Sequence, residues 1–278
     1  MGVPACNARG RREGMNSRDP STHQSNPPGP PSPESIDVAS TALFLDIDGT
    51  LLDLAPTPGS VVIPPKLVAL LRTALVIFDG AVAINTGRCI SDADELLSPL
   101  KLVTAGVHGC ELRSQYQGTI VPESGDIDPY LLSALNLIAD LIPGVLIEPK
   151  GPGIAVHYRL VPLRRNDVEA RVRALIADHS RTLIVSCGRM VLEILPRHRS
   201  KGTAIEALLA LTPFSGRKPL VIGDDVGDEP AFAVAARYGG IALKVAGERF
   251  SQESADFDGP VAVRNWLAHL VEVQPARQ

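Results

Sequence analysis

The sequence contains 278 residues, of which 45% are hydrophobic, so it is long enough to bury a substantial core. A formal net charge of −4 argues against the broad basic surface that binds nucleic acid, and no apolar run approaches the roughly 18 residues of a membrane span. The four cysteines are scattered singly, unlike those of a disulfide-rich secreted domain. We expect a globular cytoplasmic protein that acts on small molecules, with neither nucleic acid nor membrane as a partner.

The first part of the chain has a different composition from the rest. Residues 1–40 are rich in proline, glycine, serine and asparagine, and they contain a small cluster of arginines. A segment of this kind buries too little apolar surface to offset the entropy lost on ordering. We expect residues 1–40 to form a disordered leader, and we interpret the arginines as a solvated tail rather than a targeting signal.

Strands and helices alternate from Thr41 onward. Residues 42–45 and 81–84 are short apolar segments typical of buried parallel strands, and leucines between them recur at helical spacing. Ser91 resembles the first residue of a capping box that begins another helix, and residues 102–105 are a third apolar strand. The pattern predicts a parallel sheet with helical connections.

The middle of the chain has a different order of elements. Asp128-Pro129 predicts the start of one helix, and Asn166 with Glu169 predicts a capped second helix. The predicted strands are residues 144–148, 153–159, 182–186 and 190–195. The resulting order, α-β-β-α-β-β, favours a small antiparallel sheet with helices on one side, inserted into the parallel domain.

The β/α alternation returns after Ser200. A helix is predicted at residues 201–211 and another near Asp228, with strands at residues 219–222 and 241–245. These elements complete the predicted parallel sheet.

The first motif with chemical potential is Asp46-Ile47-Asp48-Gly49-Thr50. Its two carboxylates follow an apolar strand and lie two residues apart, so both face the crevice where open α/β sheets bind ligands. One carboxylate is suited to nucleophilic attack while the other transfers a proton. The alternative is a turn closed by aspartate and glycine.

Two further motifs are suited to an anion. Thr86-Gly87-Arg88 offers a hydroxyl, exposed amides and a positive charge at the end of the second strand. Lys201 begins a helix, where a positive side chain is normally disfavoured, so its position calls for a negative partner. The alternatives are an ordinary turn with a surface arginine and a solvated lysine.

Four acidic residues follow the strand at residues 219–222. They are Asp224, Asp225, Asp228 and Glu229. Carboxylates this close repel one another unless a cation compensates them, and a divalent metal is the natural compensation. The alternative is chance clustering in a surface loop.

Taken together and in this order, the four motifs resemble the haloacid dehalogenase superfamily of phosphatases. The resemblance implies that Asp46 is the nucleophile that forms an aspartyl-phosphate, and that Asp48 is the general acid and base. It also implies that Thr86 and Lys201 bind the transferring phosphoryl group.

The same resemblance implies Mg²⁺ as the cofactor. Asp46, Asp224 and the backbone carbonyl of Asp48 are the expected ligands. Asp225 and Asp228 are expected behind them, where they orient water and the lysine.

The implied fold class is α/β, with a Rossmann-like parallel sheet as the core and an inserted α+β cap domain. We expect the core domain at residues 41–113 and 197–278 and the cap at residues 114–196.

Residues 106–113, 148–151, 157–159 and 188–196 look like the pattern of trehalose-6-phosphate phosphatases, and this resemblance runs from about Leu43 to Phe232. It implies hydrolysis of trehalose 6-phosphate in the last step of trehalose biosynthesis, and it suggests the synthase that makes this ester as a partner. The candidate substrate-binding residues are Gly87, Arg88, His108, Glu148, Lys150, His157, Arg159 and Glu193. For His157 a structural role is equally favoured.

Two alternatives stay open at this stage. The core motifs do not distinguish esters, so the substrate can be another sugar phosphate, such as sucrose phosphate or mannosyl-phosphoglycerate. A non-catalytic sensor of trehalose 6-phosphate is the other, although it would be expected to lack Asp46, Asp48 or Asp224.

Overall fold

The computed structural model describes residues 29–55, 60–122, 128–188 and 190–274. The strands are β1 (Thr41–Leu45), β2 (Val82–Asn85), β3 (Val103–Gly106), β4 (Glu111–Arg113), β5 (Val121–Pro122), β6 (Leu146–Lys150), β7 (Gly153–His157), β8 (Leu183–Gly188), β9 (Val191–Pro196), β10 (Lys218–Gly223) and β11 (Ile241–Lys244). The helices are α1 (Leu67–Ile77), α2 (Ile90–Leu96), α3 (Pro129–Leu141), α4 (Arg165–Ile176), α5 (Lys201–Leu209), α6 (Glu229–Arg237) and α7 (Pro260–Val273). Within these residues no helix is both long and apolar enough to cross a bilayer.

The larger sheet has the strand order β11-β10-β1-β2-β3-β4-β5. Strand β1 lies at its centre and pairs in parallel with both β10 and β2. Leu43 and Leu45 pack in one apolar cluster with α1 and α7, whereas Ala42 and Phe44 pack in a second with α5 and α6. Because alternate residues of a strand face opposite sides, β1 is apolar throughout, and helices cover both faces. The predicted α/β fold class is confirmed.

The smaller sheet is antiparallel, with the strand order β6-β7-β9-β8. Helices α3 and α4 cover one face, where they share a core with Ile154, Val156, Leu192 and Ile194. The α-β-β-α-β-β order predicted from the sequence therefore holds. We call residues 129–196, which interrupt the larger fold, the inserted unit.

The ordered fold begins before Thr41. Ile36 and Val38 are buried, with 4% and 5% exposure, in the cluster that contains α1 and α7. The indole of Trp266 in α7 donates to the carbonyl of Pro31 at 2.8 Å. The predicted leader of residues 1–40 therefore extends too far, because composition does not show that two apolar residues of this polar segment pack against α1 and α7. Residues 1–28 of that leader lie outside the described residues.

The edge of the larger sheet also differs from the prediction. Strands β4 and β5 pair in antiparallel fashion, so the sheet is mixed rather than purely parallel. Strand β5 belongs to this sheet although the sequence places residues 114–196 in the cap. Two-residue and three-residue strands give too short a pattern to recognise.

The two predicted capping boxes are wrong. Helix α2 begins at Ile90, whose backbone N–H donates to the side chain of Glu111 at 2.7 Å, so a distant carboxylate satisfies this helix end. Helix α4 begins at Arg165, directly after a 3₁₀ turn, without a side-chain cap. Ser91 and Asn166 therefore lie inside the first turns of their helices.

Candidate active site

The carboxyl ends of three adjacent strands meet at one edge of the larger sheet. Asp46 follows β1, Thr86 follows β2 and Asp224 follows β10. From β1 the chain continues to β2 on one side, and it later returns to form β10 on the other side. The carboxyl end of β1 therefore lies at the switch point where such sheets bind ligands. All three residues are buried and line one pocket.

Lys201 enters this pocket from the start of α5. Ser200 caps the helix in a reciprocal box with Thr203, and the amide of Asn85 donates to the carbonyl of Lys201 at 3.0 Å. The lysine is 3% exposed, and its Nζ donates to Oδ1 of Asp46 and to Oδ1 of Asp228, each at 2.7 Å. Burial acts to lower the pKa of Lys201, but these carboxylates outweigh it and raise the pKa. The lysine is therefore a fixed positive charge.

Three carboxylates lie close together here, and Lys201 bonds to two of them. Oxygen atoms of Asp46, Asp224 and Asp228 lie within 4.8 Å of one another. Burial, together with the neighbouring carboxylates, raises the pKa of Asp46 to about 7 and that of Asp224 to about 9. The cluster therefore holds more negative charge than Lys201 balances, and its oxygen donors suit a hard divalent cation.

The loop after β1 packs tightly against Asp224. Gly49 has a φ of +81°, and a Cβ at this position would lie 2.1 Å from Oδ2 of Asp224. The hydroxyl of Thr50 donates to Oδ1 of the same carboxylate at 3.3 Å. Only glycine combines this backbone conformation with this close approach, so the motif brings Asp46 and Asp224 together.

Asp228 fixes the loop after β10. Its Oδ2 accepts hydrogen bonds from the backbone N–H groups of Asp224 and Asp225, each at 3.2 Å. Asp225 accepts from the N–H of Val226 at 2.7 Å, and burial raises the pKa of its carboxyl. Asp228 therefore joins the strand end to Lys201.

Asp48 has a different partner. Nε and Nη2 of Arg88 donate to its Oδ2 and Oδ1, both at 2.6 Å. Burial acts to lower the pKa of Arg88, but Asp48 more than offsets it. The backbone N–H of Arg88 donates to the hydroxyl of Thr86 at 3.2 Å. The side chain that the sequence assigns to phosphate thus holds the second carboxylate of the motif.

The inserted unit contributes a row of polar side chains to the same pocket. Glu148 on β6 pairs in register with Ala155 on β7, which pairs with Glu193 on β9. The three residues lie side by side on the face opposite α3 and α4, with only a methyl group between the two carboxylates. This face is directed at the pocket.

Each of the two carboxylates in this row forms an ion pair. Glu193 pairs with Nε2 of His108 in the larger domain; burial would raise the pKa of Glu193, but His108 holds it down at about 2. The ring of His157 lies 2.7 Å from Glu148, and this hydrogen bond lowers the pKa of Glu148. Lys150 lies 3.6 Å from Glu148.

Two basic residues link the inserted unit to the larger domain. Nζ of Lys150 donates to the carbonyl of Gly87 at 3.3 Å, and Nη1 of Arg159 donates to the carbonyl of Ala55 at 2.6 Å. With the His108–Glu193 pair, these contacts close the pocket between the two sheets.

The pocket brings together all but two of the predicted site residues. Asp228 lies behind Lys201, and His157 lies behind Glu148. The sequence reasoning did not include Leu54, Val61, Asp92 or Val191, which also line it. Val191 lies two residues before Glu193 on the same strand, so strand alternation was a signal for it. Leu54 and Val61 lie outside the helices and strands and carry no such signal.

The doubly wound sheet, the inserted α+β unit, and the aspartates, threonine and lysine at the switch point define a phosphatase of the haloacid dehalogenase type. The trehalose-phosphatase family model matches residues 44–258. The chain belongs to this family, as its resemblance to trehalose-6-phosphate phosphatases predicted.

Individual relatives agree with this placement. A probable trehalose-phosphate phosphatase of Sinorhizobium fredii (strain NBRC 101917 / NGR234) is 40% identical over 213 residues, which cover 76% of this chain and 80% of the relative. The trehalose-6-phosphate phosphatase of Escherichia coli (strain K12) is 36% identical over 230 residues, covering 82% and 86%. The solved C-terminal domain of the C. albicans trehalose-6-phosphate phosphatase has a similar fold, with a TM-score of 0.72 at 19% identity, covering 84% of this chain and 92% of that one.

Proposed function

We propose that this protein hydrolyses trehalose 6-phosphate to trehalose and phosphate, the last step of trehalose biosynthesis. The observation that carries the proposal is one pocket in which the buried Asp46–Lys201 pair faces the Glu148–Glu193 row of the inserted unit. The first element suits phosphoryl transfer and the second suits the hydroxyls of a sugar. Relatives 36% and 40% identical carry the corresponding names.

The residues at the switch point fit a magnesium ion. The fit rests on the three carboxylates whose oxygens lie within 4.8 Å, and on the raised pKa values of Asp46 and Asp224. Side chains of Asp46 and Asp224 and the backbone carbonyl of Asp48 would hold Mg²⁺, which prefers oxygen ligands. When bound, the ion supplies positive charge that offsets the repulsion between a carboxylate and a phosphate ester.

In the first step a carboxylate oxygen of Asp46 attacks phosphorus, and the bond from phosphorus to the sugar oxygen breaks. Lys201 and the hydroxyl of Thr86 hold the phosphoryl oxygens. Asp48 gives its proton to the departing sugar oxygen, which leaves as the hydroxyl of trehalose. The product on the enzyme is an aspartyl-phosphate.

In the second step water attacks the phosphorus of the aspartyl-phosphate. Asp48, now a carboxylate, takes the proton from this water, and the bond between phosphorus and Asp46 breaks. Phosphate leaves, and both aspartates return to their initial states. Asp225 lines the pocket nearby, and Asp228 holds Lys201 in place throughout.

The inserted unit acts in this proposal as a cap that recognises the sugar. Glu148, Lys150 and Glu193 present charged groups that pair with hydroxyls, and an ester without those hydroxyls leaves them unpaired. His108 positions Glu193, and His157 positions Glu148. Arg159 lines the pocket and also bonds to Ala55, so its contribution is to hold the cap against the core.

The test is phosphate release from a panel of esters in the presence of Mg²⁺. We expect the largest kcat/KM for trehalose 6-phosphate, ahead of sucrose phosphate, mannosyl-phosphoglycerate and glucose 6-phosphate. A preference for another ester would overturn the substrate, and calorimetric binding without phosphate release would indicate a sensor.

A matched pair of variants tests the sugar contacts. Lys150→Met should raise KM for trehalose 6-phosphate by about tenfold, which corresponds to one lost charged hydrogen bond. The exposed Lys101→Met is the control. If both variants behave alike, Lys150 does not bind the sugar. A cytoplasmic location and contact with a trehalose-6-phosphate synthase stay predictions, which fractionation and co-purification would check.

A further inference from the structure

The hydrogen bonds between Arg88 and Asp48 fix the second carboxylate of the motif in two directions. The guanidinium donates from Nε and Nη2 to different oxygens, each at 2.6 Å. A planar fork of this kind stops the carboxylate from rotating about its last bond, whereas a single donor would not. The arginine side chain is 11% exposed and that of Asp48 is 31% exposed, so the rigid partner lies deeper in the protein.

The backbone of Arg88 is itself fixed. Its N–H donates to the hydroxyl of Thr86 at 3.2 Å, and its carbonyl accepts from the N–H of Val107 at 2.9 Å. Directly before it, the carbonyl of Gly87 accepts from Lys150 of the inserted unit. The side chain of Arg88 therefore extends from a backbone segment that is fixed at the end of β2. The orientation of Asp48 depends on that segment.

We propose that Arg88 is a positioning residue for Asp48, rather than a ligand of the phosphoryl group as the sequence suggests. It aims the carboxylate of Asp48 at the leaving oxygen in the first step and at the attacking water in the second. This inference rests on the proposed two-step reaction. Lys201 and Thr86 already supply donors to the phosphoryl group, and two of the N–H donors of Arg88 are committed to Asp48.

The two roles predict different kinetics. Loss of a phosphate ligand weakens binding of the ester, so KM rises. Loss of a positioning residue leaves KM within about threefold of its value and lowers kcat for trehalose 6-phosphate by about 10²-fold, the cost of misplacing a reacting group by roughly 1 Å.

An ester with a better leaving group distinguishes formation of the aspartyl-phosphate from its hydrolysis. The p-nitrophenolate anion departs without a proton, so its release in the first turnover of p-nitrophenyl phosphate does not need Asp48. Attack of water on the aspartyl-phosphate still needs it. Rapid mixing of an Arg88 variant with this ester should give a burst close to one nitrophenol per enzyme, at a rate within about threefold of the wild-type first turnover, and then a steady state slowed by about 10²-fold.

The experiment compares Arg88→Gln and Arg88→Lys with Asp48→Asn, on both esters with Mg²⁺. Arg88→Lys keeps the charge but loses the fork, so it should recover only part of kcat. The double variant Asp48→Asn/Arg88→Gln should lose no more kcat than Asp48→Asn alone, because both changes remove the same function. If Arg88→Gln does not fold, Arg88→Lys carries the same burst test.

A tenfold or larger rise in KM with kcat retained would overturn the proposal. Equal slowing of the burst and the steady state would overturn it as well, because a structural defect or lost phosphate binding affects the first turnover too. If the wild type cleaves p-nitrophenyl phosphate but not trehalose 6-phosphate, the proposed substrate fails, while the burst still tests Arg88.

Discussion

The ammonium of Lys201 lies 2.7 Å from Oδ1 of Asp46, the carboxylate that we propose as the nucleophile. It lies equally close to Asp228, and all three side chains are almost completely buried. The ammonium bonds directly to two carboxylates, and it offsets only part of the repulsion that raises the pKa of the neighbouring Asp224. This imbalance makes the site a candidate for a cation and makes Lys201 important for stability as well as for chemistry.

Replacing Lys201 should destabilise the protein. Lys201→Met leaves buried carboxylates without their cation, and breaking a buried ion pair typically costs about 3–5 kcal/mol. Urea unfolding in chelator should show this loss, whereas the exposed Lys218→Met should change stability by less than about 0.5 kcal/mol. Similar unfolding midpoints for the two variants would contradict the interpretation.

Adding Mg²⁺ to metal-free protein should raise the melting temperature, because a ligand that binds only the folded state stabilises it. Asp224→Asn removes one of the repelling carboxylates and one proposed ligand. In chelator this variant should melt above the wild type, yet it should gain less from Mg²⁺ and lose phosphatase activity.

If Mg²⁺ raises the melting temperature of Asp224→Asn as much as that of the wild type, the proposed metal site is wrong. Full turnover by the wild type in excess chelator would likewise remove the metal from the proposed reaction.

Glu193 should make the protein sensitive to acid. Its pKa is about 2 in the folded protein, against an ordinary glutamate value of 4.5, so the folded state binds the proton less well than the unfolded state. The stabilisation is therefore complete above pH 4.5 and is lost as the pH falls toward 2. A pKa shift of this size corresponds to roughly 3 kcal/mol in the free energy of unfolding. Glu193→Gln should flatten the decline of unfolding free energy in that range.

The exposed Glu253→Gln is the control for this pH series and should leave the decline unchanged. If Glu193→Gln and wild type lose stability in parallel between pH 4.5 and 2, the His108–Glu193 pair does not carry the acid sensitivity.

Much of the site could be predicted because its residues follow strongly apolar strands. Asp46, Thr86 and Asp224 each end a buried parallel strand, and the chain order of such strands puts their carboxyl ends at one edge. The position of Lys201 at a positive helix end also indicated a negative partner, and the structure provides two.

The remaining contacts depend on distances that no local pattern contains. Arg88 and Asp48 are 40 residues apart, and only the packed loops show that they pair with each other. Helix α7 and the early start of the fold were missed because Ile36, Val38 and Trp266 stabilise each other through tertiary packing. Strands β4 and β5 are too short for periodicity to indicate them.

The most direct test of the central claim is the detection of phosphate on Asp46 during turnover. Wild-type protein is mixed with trehalose 6-phosphate and Mg²⁺, quenched in acid and digested, and the peptide that contains Asp46 is examined by mass spectrometry. We predict one phosphoryl group on Asp46, and neither modification nor turnover in Asp46→Asn. Turnover at near wild-type rate by Asp46→Asn, or a phosphoryl group on another residue, would contradict the account.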